Sequence, residues 1–136
     1  MGELEPIEGH VRDEEPPDDT VLVIRGGPLA PEKLIAHAHR QQLKFSYQGR
    51  SMASVSVDAT VAGWSLEAIL EERLWSRSTY AACEVGRIRE AGYVLLATHE
   101  APHYDILLAE ASLAAAEALL AVFGAPYHNP YKGRRR

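Results

Sequence analysis

Three observations predict an α/β domain for this 136-residue chain, with α+β as the alternative. Short β-branched or alternating runs sit between longer stretches whose apolar residues recur at intervals of three and four. The longer stretches open on a capping residue or proline, and two of the three close on glycine. Hydrophobic residues make up 46% of the chain, enough for one core at a length typical of one domain. The elements follow in the order β-α-β-α-β-α-β-β-α. That order implies a single domain with a mixed sheet of about five strands and three main helices.

Residues 1–19, "MGELEPIEGHVRDEEPPDD", hold eight acids and few apolar side chains, so an acidic disordered tail is expected there. The globular α/β domain is expected over 20–124. It opens with "TVLVIR" (20–25), a short apolar run that reads as a buried strand ended by "GGP". In "APEKLIAHAHRQQLKF" (30–45) Pro31 suits a first helical turn and Glu32 complements the dipole. Leu34, Ile35, Ala38 and Gln42 share one face there, and Gly49 in "YQGR" is the expected stop.

"SMASVSVDA" (51–59) alternates: Val55 and Val57 lie on one face, and Ser54, Ser56 and Asp58 on the other. "SLEAILEERLW" reads as a helix capped by Ser65, with Leu66, Ile69, Leu70 and Leu74 turned inward. "TYAACEV" is a strand, and "GRIREAG" a turn or two of helix. "YVLLAT" and "HYDILLA" form a hairpin across "HEAP". "SLAAAEALLAVFG" is a helix with Ser112 as cap and Gly124 as stop. "APYHNPYKGRRR" (125–136) reads as an irregular basic, aromatic tail.

Charge is divided along the chain. Residues 1–19 carry eight acids against Arg12 alone, and the remainder is left with thirteen basic and eleven acidic residues. A mildly basic body suits nucleic acid or nucleotide phosphates, and an acidic tail can mask such a surface. No run approaches the roughly 18 apolar residues of a membrane span, and the acidic N-terminus lacks the features of a signal peptide. A single cysteine, Cys83, excludes an internal disulfide framework and a cysteine-based zinc site. A cytoplasmic protein with no membrane partner is expected.

The segment "HEAPH", His99 to His103, matches the zinc-protease pattern H-E-x-x-H letter for letter. The pattern works only on a helix, where histidines four apart stack on one face. Pro102 lacks an N–H and pushes Ala101 toward extended geometry, so the two histidines should flank a turn and no metal is expected.

His103 opens a strand, and Asp105 shares its face two residues on; a histidine beside a carboxylate is a candidate acid or base. Arg25 ends an apolar strand and is followed by Gly26 and Gly27, which let a ligand approach the backbone closely, so it is a candidate phosphate holder. Ser54 and Ser56 are candidates for substrate positioning, together with Tyr104. In the C-terminal tail, Tyr131, Lys132, Arg134, Arg135 and Arg136 combine stacking and positive charge, as nucleic-acid contacts do. His37 and His39, two apart on a helix, diverge and cannot share a metal.

The runs "VIRGG", "VGRIREAGY" and "PHYDILL" resemble small uncharacterised bacterial toxin-like proteins. The order of Arg25 followed by Ser54 or Ser56 on a later strand also resembles the Arg–Ser–Glu layout of ADP-ribosyltransferases, whose arginine and serine hold NAD. No late-strand E-x-E or Q-x-E is present, so Glu84, Glu100 or Asp105 would have to stand in. The leading expectation is a small toxin-type enzyme acting on RNA or a nucleotide by acid–base chemistry without a cofactor. One alternative is a non-catalytic interaction module, antitoxin-like or part of a defence complex, with a cognate protein partner or inhibitor. The other is a transferase using NAD.

Overall fold

The alternating run in the middle of the sequence is the strand on which the sheet is assembled. In the computed structural model, residues 4–6, 11–12, 14–24, 45–47, 50–98, 100–108 and 112–133 are described. They form strands β1 (Leu4–Pro6), β2 (Val11–Arg12), β3 (Val21–Ile24), β4 (Phe45–Tyr47), β5 (Arg50–Ala59), β6 (Thr79–Tyr80), β7 (Ala82–Glu84), β8 (Leu95–Thr98), β9 (His103–Leu108) and β10 (Tyr127–His128). The helices are α1 (Leu66–Arg73), α2 (Val85–Glu90) and α3 (Leu113–Phe123).

β5 pairs with β9 along one edge, Ala53 opposite Leu108 through Asp58 opposite His103. Its other edge is shared end to end by β4, which pairs with Arg50–Met52, and β3, which pairs with residues 57–59. The five strands expected from sequence lie in the order β7, β3, β5, β9, β8. Three short strands (β1, β2 and β4) extend them to an eight-stranded sheet. The fold is a single domain of helices and sheet, as predicted. Every described pairing is antiparallel, so the parallel pairs that a mixed sheet would carry are not among them.

The apolar face follows from the alternation. Leu22 and Ile24, Val55 and Val57, and Tyr104, Ile106 and Leu108 project to one side, where Ile88 of α2 and Ala116, Leu119 and Phe123 of α3 close over them. α3 starts where Ser112 accepts a hydrogen bond from Ala115 N, and it ends at Gly124, whose φ of 88° favours a residue without Cβ. α1 starts on Ser65, which accepts from Ala68 N, and buries Ile69 and Leu70 with Leu74 against Val23 on the opposite side of the sheet. Among the described residues, no helix is long and apolar enough to cross a membrane.

Four expectations are corrected. The helix predicted over 30–45 falls mostly outside the described residues. Its last residue, Phe45, and Tyr47 beyond it stand in β4, with Tyr47 opposite Arg50. A hairpin therefore replaces the expected helix stop. The described part of the N-terminal segment is docked: β1 pairs with β4 and β2 with β8. Pro16 is buried, and Asp18 is 2.6 Å from the Arg89 guanidinium. A Cβ on Gly86 would come within 3.2 Å of Asp18 Cβ, so glycine is what lets this segment lie so close to α2.

The strand expected over "TYAACEV" is split, β6 going to a small sheet with β10 and β7 to the main sheet. Finally, the C-terminal tail is built in as far as residue 133. β10 pairs with β6, and the buried Asn129 amide donates to the carbonyls of Leu74 and Arg77 at 2.9 and 3.0 Å. Leu74 O, which also accepts from Arg77 N, thereby gains a second donor just past the end of α1.

Candidate functional site

Strand alternation in an antiparallel sheet usually turns the polar residues to water. Here the central strands are buried on both faces, and the second face is lined with polar groups. Ser54, Ser56 and Asp58 of β5, His103 and Asp105 of β9 and Thr98 of β8 are all buried, six of the eight buried polar residues described. Register brings them together, with Ser56 opposite Asp105 and Asp58 opposite His103. Thr98 ends β8 across the hairpin from His103, the residue that opens β9.

The hydrogen bonds form a chain. Thr98 Oγ1 donates to Asp105 Oδ2 at 2.7 Å and also lies 2.7 Å from His103 Nδ1. A hydroxyl has one proton, so with that proton on the Asp105 carboxylate the histidine Nδ1 must carry its own and donate to the threonine oxygen. The Thr98 carbonyl, 3.3 Å from Nδ1, is a second acceptor for the same proton. This network places a proton on Nδ1 of the imidazole. Ser56 Oγ donates to the other Asp105 oxygen at 3.3 Å. His103 Nδ1 and Asp105 Oδ2 are themselves 3.9 Å apart, too far for a direct hydrogen bond, so the threonine hydroxyl is the link.

A second charged pair adjoins the first. Arg73, in the last turn of α1, donates from Nε to Asp58 Oδ1 at 2.9 Å, and its guanidinium lies 5.7 Å from the centre of the Trp64 ring. Ser54 Oγ is buried with no hydrogen-bond partner among the described residues. Such an orphan group costs stability, about 1–3 kcal/mol, unless something binds there.

The sequence candidates divide accordingly. His103, Asp105, Ser54 and Ser56 share this face. Tyr104 does not: it is buried in the apolar core on the other side of β9, and its hydroxyl donates to Glu14 at 3.1 Å. Its assignment to substrate binding is corrected, because neighbouring residues of a strand point to opposite faces. Arg25, Gly26 and Gly27 lie outside the described residues, as do His37, His39, His99 and Arg134, Arg135 and Arg136. Tyr131 is partly buried against Leu74 and its neighbours, whereas Lys132 is exposed.

Of the carboxylates that would complete a transferase site, Glu84 is exposed on β7, two strands from β5, and Glu100 is exposed in the hairpin turn. From Glu100 on, the "HEAPH" letters run through that turn into β9, not along a helix. Among the described residues, no group of three or more His, Cys, Asp or Glu side chains is placed to hold a metal ion.

Sequence reasoning missed Thr98 and Arg73, and saw Asp58 only as a neighbour of the serines. Thr98 had a faint signal, a lone hydroxyl at the mouth of an apolar strand. Arg73 had none, since an arginine in a last helical turn is ordinary. Of the remaining titratable groups, burial pushes the Cys83 thiol up to about 11 against the pull of Arg87, which leaves an inert side chain. No protein-family model, curated protein or solved structure matches this chain.

Proposed function

We propose that this protein is a small enzyme that transfers a proton at a phosphate-bearing substrate, RNA or a nucleotide, with His103 as the acid–base group. The observation that carries this reading is the Asp105–Thr98–His103 chain, which orients the imidazole and fixes a proton on Nδ1, so that proton exchange with a substrate would fall to Nε2. Nε2 would take the proton of a hydroxyl or water as its oxygen bonds to phosphorus and the P–O bond to the leaving oxygen breaks. The imidazolium, stabilised by the Asp105 carboxylate through the threonine, would then return the proton to that leaving oxygen. Ser56 holds the same carboxylate from the other side. The mildly basic body beyond residue 19 supports a phosphate-bearing substrate, and so does the exposed Lys132. A toxin-type role in the cytoplasm fits this chemistry and remains part of the proposal.

A second reading, a non-catalytic interaction module, is favoured by one observation: His103 is only 6% exposed, as a structural histidine would be. Expression of the full chain and of His103→Asn in a bacterial host, with RNA incubated alongside the purified proteins, separates the two. The enzyme reading expects growth arrest and RNA or nucleotide turnover from the parent chain, and at least a hundredfold less turnover from a folded His103→Asn protein. Equal behaviour of the two proteins would leave the interaction module standing.

A further inference from the structure

We infer that Arg73 is the anion-holding group of the polar face, and that the group it holds is a phosphate. An arginine has five N–H donors, and Arg73 spends the one on Nε to meet Asp58. No other hydrogen bond or ion pair of its guanidinium occurs among the described residues, so four donors on the two Nη atoms are uncommitted. They form the fork that phosphate oxygens fit in pairs. The guanidinium is also set in place. Asp58, fully buried, fixes one edge, and the guanidinium carbon sits over the Trp64 ring, 5.7 Å from its centre. The side chain keeps 24% of its surface exposed, which makes it the open member of an otherwise closed cluster.

Its position relates it to the proton-transfer group. Asp58 is the cross-strand partner of His103, so the carboxylate that anchors Arg73 stands about 5 Å, one strand spacing, from the histidine's strand. The anchor of the anion-holding group and the proton-transfer group are thus cross-strand neighbours. The assignment of this phosphate to a substrate rests on the proposed function; the anion site itself does not. It also supplies, from a described residue, the role that sequence reasoning gave to Arg25.

The test uses inorganic phosphate and the full chain. The sequence has two tryptophans, so Trp75→Phe leaves Trp64, the ring against the guanidinium, as the reporter. Phosphate should change Trp64 emission saturably, where chloride at equal ionic strength does not. Arg73→Gln should raise the half-saturating concentration at least tenfold, and Arg87→Gln, at an exposed arginine of α2 across the sheet, should leave it within threefold. Arg73→Gln alone strands a buried carboxylate, so Asp58→Asn with Arg73→Gln serves as a neutral pair and should show the same loss. No saturable change in the parent protein, or binding unaltered in either arginine variant, would overturn the inference. Phosphate binding without His103-dependent turnover would retire the catalytic reading and leave the anion site in place. Turnover without phosphate binding would do the reverse.

Discussion

The two faces of β5 and β9 are equally buried and differently held. On one, Val55, Val57, Tyr104 and Ile106 meet α2 and α3 through apolar contact alone. On the other, Ser56, Thr98, His103 and Asp105 are joined by hydrogen bonds at 2.7–3.3 Å. Apolar burial stabilises in proportion to area, and most sequences that fill the space will do. A buried polar network offers little net stabilisation, and each member depends on the others being correctly placed. The contrast teaches where to look for function: the second face is expensive to bury, and its arrangement is specific.

The largest stability effect should fall on the apolar side. Ile106→Ala is expected to cost about 2–5 kcal/mol in chemical denaturation, from lost burial and the cavity left behind. Asp105→Asn, its neighbour on the opposite face, should cost less, about 1–3 kcal/mol, yet abolish turnover. If the aspartate change proves the more destabilising and turnover is untouched, the polar face is structural and the comparison fails.

Next in size is the N-terminal segment. A chain starting at Asp19 loses β1, β2, the buried Pro16 and the Glu14–Tyr104 and Asp18–Arg89 contacts. Its melting temperature should fall by about 5–10 °C, as expected for a loss of roughly 2 kcal/mol in a domain of this size. An unchanged melting curve would return the segment to the class of idle tails.

Ser54→Ala should act in the opposite direction. Removing a buried hydroxyl that has no partner among the described residues should leave stability unchanged or raise it by up to about 1 kcal/mol. A clear loss would show that the hydroxyl is bonded in solution.

The smallest effect concerns Cys83. Its thiol is held protonated by burial up to about pH 11, so it should resist a thiol reagent at pH 8 until the protein is unfolded. Because the folded protein favours the neutral thiol, this group's contribution to stability is full below pH 9. It is lost as pH rises toward 11. Rapid labelling of the native protein at pH 8 would contradict the buried position.

Much of the architecture was legible because it rests on local signals. Ser65 and Ser112 announce helix starts, Gly124 an end, and the Val–Ser alternation of β5 states its two faces. The polar face was half legible: His103, Asp105 and the serines could be placed on common strand faces by counting in twos. Thr98 and Arg73 could not, since their roles depend on which strand lies beside β9 and which helix crosses Asp58. The docking of the N-terminal segment was hidden for a similar reason. Its composition reads as solvated, and what holds it down is pairing and contact with distant elements, such as Val11 with Thr98, Asp18 with Arg89 and the close approach that Gly86 permits.

Asn129 carries a consequence that reaches across the molecule. Its amide donates to Leu74 and Arg77, and its carbonyl oxygen accepts from Tyr131 N, so one side chain fastens the tail to the end of α1. Arg73 is the residue immediately before that fastening. The arginine is therefore held on two sides, its side chain by a carboxylate in the sheet and the backbone just after it by an amide 56 positions later.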